Sequence, residues 1–355
     1  MLTKKLSFRA GPGAMKMIRE NGFSADMIGT LAGASGGAKW LVLSQLDRVI
    51  ASEILPRLQS PVYTIGTSIG AWRFACYAQH DPLAAIERFE EAYLSQTYSE
   101  KPDRDEITAR SAEILDHVIG ASGVDEILAN PVLRVNVMTV RAKHLGATES
   151  APVLVPSLLA AAMANAVSRR SLGLFFERVL FSDQRDRPPF YELDGFPMHT
   201  VALNEHNLKP SILATGSIPM VLNGVRDIHG APSGTYRDGG VIDYHLDIPQ
   251  ADPDKLCLYP HFIDRIVPGW FDKPLKSRRP AAANIHNTLL ISPSAEFVET
   301  LPNAKIPDRK DFTTYPPDER EKNWRVAVDQ CRALADELND VLQTGRVAER
   351  LEPLV

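Results

Sequence analysis

The sequence predicts an α/β protein built on a mainly parallel sheet with helices on both faces. Three observations predict it. Short apolar, β-branched runs alternate with helix-spaced runs over the first hundred residues. Glycine-rich turns stand where one kind of run gives way to the other. No repeat of fixed period and no low-complexity tract points to a solenoid or a propeller.

Residues 27–31 (Met-Ile-Gly-Thr-Leu) read as a first strand, 39–54 as a helix, 62–65 (Val-Tyr-Thr-Ile) as a β-branched strand and 71–78 as a helix. Such alternation favours parallel strands, because each crossover helix returns the chain to the same end of the sheet. From His80 to about Ser168 the chain turns charged and helical, with apolar residues at helix spacing over 83–94 and 107–119. This stretch reads as a helical insertion. Within it, residues 151–167 carry no charge and read as a buried helix, too short for a confident membrane span. Arg169 and Arg170 directly after it leave a second reading open, an apolar face with positive charge laid against a lipid surface.

Strand signals return at 198–203 and 241–246. Beyond Pro249 prolines recur every few residues, which predicts mostly irregular connection wrapped on the core. The end is clearer. Trp324, Val328, Cys331, Leu334, Leu338 and Val341 mark one face of an amphipathic helix, and Gly345 stands where it should stop. The expected organisation is therefore a core over 1–250, with a helical insertion at about 80–190, and a C-terminal extension over 251–355.

Composition bounds the function. An apolar fraction of 44% and a charged fraction of 23% belong to a folded globular chain. A net charge of -5 excludes the broad positive field that non-specific nucleic-acid binding requires, so no nucleic-acid partner is expected. Cys76, Cys257 and Cys331 are scattered and fit neither a disulfide framework nor a metal-ligand spacing. They fit a reducing, cytoplasmic setting, with no metal and no cofactor expected. The N-terminus reaches Gly11 and Pro12 before any apolar stretch develops, so no signal peptide is expected.

Two segments fit G-x-S-x-G, in which glycines allow a sharp strand-to-helix turn that pushes a serine hydroxyl out of the sheet. They are Gly33-Ala34-Ser35-Gly36-Gly37 and Gly66-Thr67-Ser68-Ile69-Gly70. Ser68 has the better setting, between a β-branched strand and a helical run. The earlier segment, running on to Lys39, exposes successive backbone N–H groups at a helix start, an arrangement that receives anions. It is not a nucleotide phosphate loop, which would need Gly at Ala38 and Ser or Thr at Trp40. A third element, Tyr236-Arg237-Asp238-Gly239-Gly240-Val241, sets an aspartate on a glycine-bounded turn.

In this order the three elements resemble the patatin-like phospholipases, or patatin-like acyl hydrolases. Gly36-Gly37-Ala38-Lys39 is similar to the family's oxyanion loop, Ser68 to its nucleophile and Asp238, followed by Gly239 and Gly240, to its base. The segment 214–219 (Ala-Thr-Gly-Ser-Ile-Pro) also looks like the family's small-residue and proline segment. Ser35 and Trp40 stand where the family carries glycine. The resemblance covers about 25–80 and 205–250. It implies a serine acyl-ester hydrolase with a Ser68–Asp238 dyad, an oxyanion hole at Gly36 and Gly37, and support from Ser35, Lys39, Gly66, Gly70, Gly239 and Gly240. It implies an acyl ester or phospholipid substrate, and the lipid-surface reading of the 151–167 helix adds a transient contact with a membrane surface. Other readings stay open on the residues alone. Ser35 is an alternative nucleophile, His206, His229, His245 or His261 could complete a Ser-His-Asp triad, and the turns could serve a non-catalytic acyl or anion pocket. Clustered Arg169, Arg170 and Arg178 are expected to form a basic patch near the pocket mouth.

Overall fold

The computed structural model describes residues 4–250 and 252–354. Its strands are β1 (Leu6–Ala10), β2 (Ile28–Gly33), β3 (Val62–Gly66), β4 (Leu133–Ala142), β5 (Phe176–Ser182) and β6 (Met198–Ala202). They continue with β7 (Val225–Arg226), β8 (Thr235–Asp238), β9 (Leu256–Pro260), β10 (Thr288–Pro293) and β11 (Leu351–Pro353). All eleven join one sheet in the order β11-β1-β10-β9-β2-β3-β4-β5-β6, with β8 paired to β4 and β7 to β8. The centre, β10-β9-β2-β3-β4, is parallel throughout. Antiparallel pairing enters at β1–β10, β4–β5, β4–β8 and β7–β8. The fold is mixed α/β on a mostly parallel sheet.

β2, β5, β9 and β10 are buried at every position. Both faces of the sheet are therefore covered, and these strands lack the in–out alternation of a half-exposed sheet. Helices begin where the sequence supplies a cap. Asp81 accepts from the Ala84 N–H at 3.0 Å to open Pro82–Leu94, and Asp103 accepts from the Glu106 N–H at 2.8 Å to open Arg104–Ile119.

Four expectations change. Residues 39–54 are not one regular helix but a tight turn at Gly37–Val42, a short helix Ser44–Val49 and a wider turn at Ile50–Ile54. The stretch read as a helical insertion contains β4 and β5, the latter wholly buried, so the chain returns to the sheet there. The strand expected at 241–246 lies earlier: β8 ends on Asp238, and Gly239–Val241 is a tight helical turn. The proline-rich stretch after Pro249 supplies β9 and β10, which sit between β1 and β2. Proline is tolerated because Pro260 and Pro293 close these strands at their last positions.

The C-terminal amphipathic face is buried as its spacing predicts, but the helix breaks at Cys331 into Pro317–Gln330 and Arg332–Gln343. Gly345 follows at φ 67°. Helix Ala151–Val167 forms, yet it is not a buried one: only Leu154, Ala161 and Asn165 are covered. Cys76, Cys257 and Cys331 are free and buried.

Candidate active site

The register of β4 brings two distant turns together. Along its first half, Leu133 to Val137, β4 pairs with β3 in parallel, so β3 ends with Gly66 opposite Val137. Along its second half, Thr139 to Ala142, it pairs with β8 running the other way, and Asp238 ends that strand opposite Thr139. The two strands thus point their C-terminal ends at each other across the level of Met138, about 7 Å apart at the usual rise per residue. Ser68 leaves one tip and Asp238 the other.

At the first tip Ser68 is held at φ 53° and ψ -129°, a left-handed conformation that costs a non-glycine residue on the order of 1–3 kcal/mol. Helix Ile69–Tyr77 starts at the next residue. The strain is held by its surroundings. The Ser68 N–H donates to Thr215 Oγ1 at 2.9 Å, and Thr215 in turn donates to the Met138 carbonyl. Glycine is required on either side: a Cβ on Gly66 would lie 2.4 Å from Ala71 N, and one on Gly70 would lie 2.0 Å from the Gly33 carbonyl. One turn on, Arg73 is buried in an ion pair with Asp47, which Tyr77 also reaches at 2.8 Å, fixing the helix beneath the serine.

The loop after β2 lies alongside. Gly36 packs against Phe262, where a Cβ would fall 2.6 Å from the ring, and Gly37 takes φ +56°. Among the described residues, neither the Gly36 nor the Gly37 N–H is hydrogen-bonded to an acceptor, whereas the Ser35 N–H is taken by the Tyr244 carbonyl at 2.9 Å. Trp40 does not crowd this loop. It turns into the core and stacks on Phe89 at 4.3 Å. Ser35 contributes its hydroxyl, which donates to Thr67 Oγ1 at 3.1 Å and lies 3.4 Å from Asp238 Oδ1. It has no strained backbone of the kind seen at Ser68.

At the second tip the Asp238 Oδ1 accepts from the Gly240 N–H at 2.7 Å, and its own N–H donates to the Ser217 carbonyl at 3.0 Å. Gly239 sits against the Met138 carbonyl and Gly240 against Ser35, so both glycines are spatially required. Burial pushes the Asp238 carboxyl from 3.8 up to about 6. The nearby Ser68 hydroxyl, hydrogen bonds from the Gly240 N–H and Ser35, and the charge of Lys273 pull the other way without overcoming it. Ser68 and Asp238 are 4% and 6% exposed. A buried serine and a buried carboxyl of raised basicity thus stand at facing strand tips, with two unpaired backbone donors in the neighbouring loop after β2.

The expected basic patch does not form. Arg178 is buried and bidentate to Asp243 at 2.7 Å on both oxygens. Arg169 donates to the Ile242 carbonyl at 2.8 Å and approaches Asp243 and Asp272. These arginines brace the turn that follows Asp238, and only Arg170 of the three faces solvent. None of the four histidines is hydrogen-bonded to Ser68 or Asp238 among the described residues. His245 Nδ1 accepts from the Val267 N–H and His261 Nδ1 meets Ile263, both rings being buried. His206 and His229 pack on each other. Sequence reasoning missed the roles of Thr67, which fills a variable position of the G-x-S-x-G turn, of Lys273 and of the Arg178–Asp243 pair, which stand in no motif. The segment containing Thr215 and Ser217 was visible, but not its hydrogen bonds to the two tips.

No protein-family model and no curated protein matches this chain. Among solved structures, the crystal structure of VipD from Legionella pneumophila aligns over 95% of this chain and 72% of that one, with a TM-score of 0.41 and 12% identity. That likeness is too distant to assign a family. No helix among the described residues is long and apolar enough to cross a membrane.

Proposed function

We propose that this chain is a serine acyl-ester hydrolase of the patatin-like kind, acting on lipid acyl esters in a reducing, cytoplasmic setting through a Ser68–Asp238 dyad. The observation that carries the reading is the pairing of a strained, strand-end serine with a buried carboxyl raised to about 6. A carboxylate of ordinary pKa is a weak base at neutral pH, and burial supplies the missing basicity without a histidine. Asp238 takes the Ser68 hydroxyl proton as Oγ attacks the acyl carbonyl. The N–H groups of Gly36 and Gly37 receive the oxyanion, and the proton passes to the departing alcohol. Water, deprotonated by the same aspartate, then attacks the Ser68 ester and restores the serine.

The lipid character of the substrate rests on helix Ala151–Val167. Val155, Leu159, Met163 and Val167 follow one another at intervals of four and are exposed, Met163 by 68% and Val167 by 88%. Leu145 and Leu174 extend the patch, and exposed Arg170 adds a positive charge at its end. The helix is tied to the site: Asn165 donates to Asp272 at 2.7 Å, beside Lys273, and Arg169 holds the turn after Asp238. An exposed apolar helix face joined to an ester-cleaving site suits a lipid surface.

An alkyl fluorophosphonate tests the chemistry. Covalent labelling of Ser68 in the wild type, lost in Ser68→Ala and kept in Ser35→Ala, is the expected outcome. Labelling on Ser35 would move the nucleophile to that residue, and labelling on no serine would leave the non-catalytic acyl pocket as the better reading.

A further inference from the structure

Three segments that the sheet brings together meet at one hydroxyl. Ser35 Oγ lies 3.1 Å from Thr67 Oγ1 and 3.4 Å from Asp238 Oδ1. Thr67 gives its own proton to the Asp243 carbonyl at 3.0 Å. A carbonyl only accepts, so towards Ser35 the Thr67 oxygen is an acceptor, and the Asp238 carboxylate is another. Ser35 thus faces two acceptors with a single proton. Neither distance is the roughly 2.8 Å of a settled hydroxyl bond.

The surroundings are built around that hydroxyl. Ser35 and Thr67 are 3% and 0% exposed, and the Thr67 N–H donates to the Gly33 carbonyl at 3.1 Å. A Cβ on Gly240 would lie 2.3 Å from Ser35 Oγ, so the turn after Asp238 is glycine where it makes room for the serine. The Asp243 N–H donates to the Gly239 carbonyl at 2.9 Å, which closes the chain of bonds on the turn that carries Asp238. Asp238 Oδ1 is therefore met twice, by the Gly240 N–H at 2.7 Å and by Ser35, whereas Oδ2 has no hydrogen-bond partner among the described residues.

Charge decides where the Ser35 proton points. A hydrogen bond to a carboxylate is about twice as strong as one between neutral groups, so a charged Asp238 draws the proton from Thr67 and a protonated one releases it. The other groups that act on Asp238 or feel its charge are Lys273, itself lowered to about 7 by burial, and Tyr244, a phenol that burial keeps neutral. Neither is hydrogen-bonded to Asp238 among the described residues.

We propose that Ser35 is a positioning residue for Asp238: its proton binds Oδ1 while the carboxyl is charged and returns to Thr67 once it is protonated, which reserves Oδ2 for the Ser68 proton. Ser35 forms no covalent bond and keeps its proton throughout, which separates this role from that of a nucleophile. Its use in turnover rests on the hydrolase reading, but the exchange of the hydroxyl between two acceptors does not, and the two can fail separately.

The pH dependence of kcat/KM for 4-nitrophenyl butyrate tests the role. The wild-type rate is expected to fall as pH drops through about 6. In Ser35→Ala the fall should begin about one pH unit higher, because the charged carboxyl has lost a donor. A loosened, wetter loop would move it the other way, since burial is what raises this carboxyl. Thr67→Val removes the competing acceptor and leaves the Ser35 proton to Asp238, so its fall should lie below that of the wild type. A limb set by Lys273 would follow neither variant. Carbon-13 NMR of labelled aspartate carboxyls in a Ser68→Ala chain reads the same group without turnover. The Asp238 signal, assigned by its loss in Asp238→Asn, should titrate higher with Ser35→Ala and lower with Thr67→Val. Ser35→Ala decides alone if Thr67→Val, which leaves the Asp243 carbonyl unmatched, does not fold. A midpoint in Ser35→Ala that stays or falls by either measurement, or one that moves the same way in both variants, overturns the role. Carboxyl midpoints that move as expected in a chain that cleaves no ester would overturn the hydrolase reading and leave the hydroxyl exchange standing.

Discussion

Asp238 carries two opposite demands. Its carboxyl rises from 3.8 to about 6 on burial, so it is a better base than an exposed aspartate but is charged only above that range. A base must be deprotonated to accept the Ser68 proton, and kcat/KM for a neutral ester is therefore expected to fall as pH drops through about 6. A limb near 4 would mean that another group sets the rate. Stability runs the other way. A carboxyl whose folded pKa lies above its unfolded one holds its proton more tightly when folded, so its contribution is most favourable below about 4 and is lost as pH rises through 6. That rise corresponds to roughly 2–3 kcal/mol. Asp238→Asn should accordingly gain about 2 kcal/mol at pH 8 and nothing at pH 4, while losing most turnover. Denaturant curves of both proteins at the two pH values check this, and equal stability at pH 8 would contradict it. Ser68→Ala combined with Asp238→Asn should be little slower than either alone, because residues acting as a unit are not additive.

At the scale of elements, sequence reading succeeded where one period dominated and failed where charge interrupted it. β3 and its turn were legible because Val62, Thr64 and Ile65 precede two glycines and a helix with no intervening charge. β4 and β5 were not. Arg134, Asn136 and Arg141 break the apolar run of one, and Glu177 and Arg178 that of the other. The structure accommodates these groups by pairing them, half-buried Arg141 with Glu177 across the strands and buried Arg178 with Asp243, and such pairing cannot be read from a single segment. Helix Ala151–Val167 misleads in the other direction, its even apolarity suggesting a core helix although one face stays open. That face carries a prediction. Leu159→Glu with Met163→Glu should lower co-sedimentation with anionic vesicles at least tenfold and shift Tm by no more than about 2 °C, since both side chains project from the core. Unchanged sedimentation would remove the lipid-facing role, whereas a large drop in Tm would show that the face is needed to hold the fold.

Across the whole molecule, the sheet order decides which parts of the chain can stand alone. The motifs all lie before residue 250, which made 251–355 read as an extension. In the sheet, however, β9 pairs β2 and β10 pairs β9, with β1 beyond them and β11 outermost. Removing residues 251–355 would strip β1 of both its partners and open the full edge of β2, leaving fully buried backbone donors and acceptors unmatched in the middle of the sheet. Phe262 and Lys273 would go with them, taking the support of Gly36 and the ammonium that lies over Tyr244. The separation also matters for cooperativity. β1 meets β10 across some 280 residues, so the central sheet closes only when both ends of the chain are present. The full chain is therefore expected to unfold in one transition by circular dichroism and by tryptophan fluorescence, whereas residues 1–250 alone should show no cooperative transition and no fluorophosphonate labelling. A 1–250 fragment that melts cooperatively and labels at Ser68 would establish that the first 250 residues form an autonomous core and that β9 and β10 are added to a sheet able to close without them.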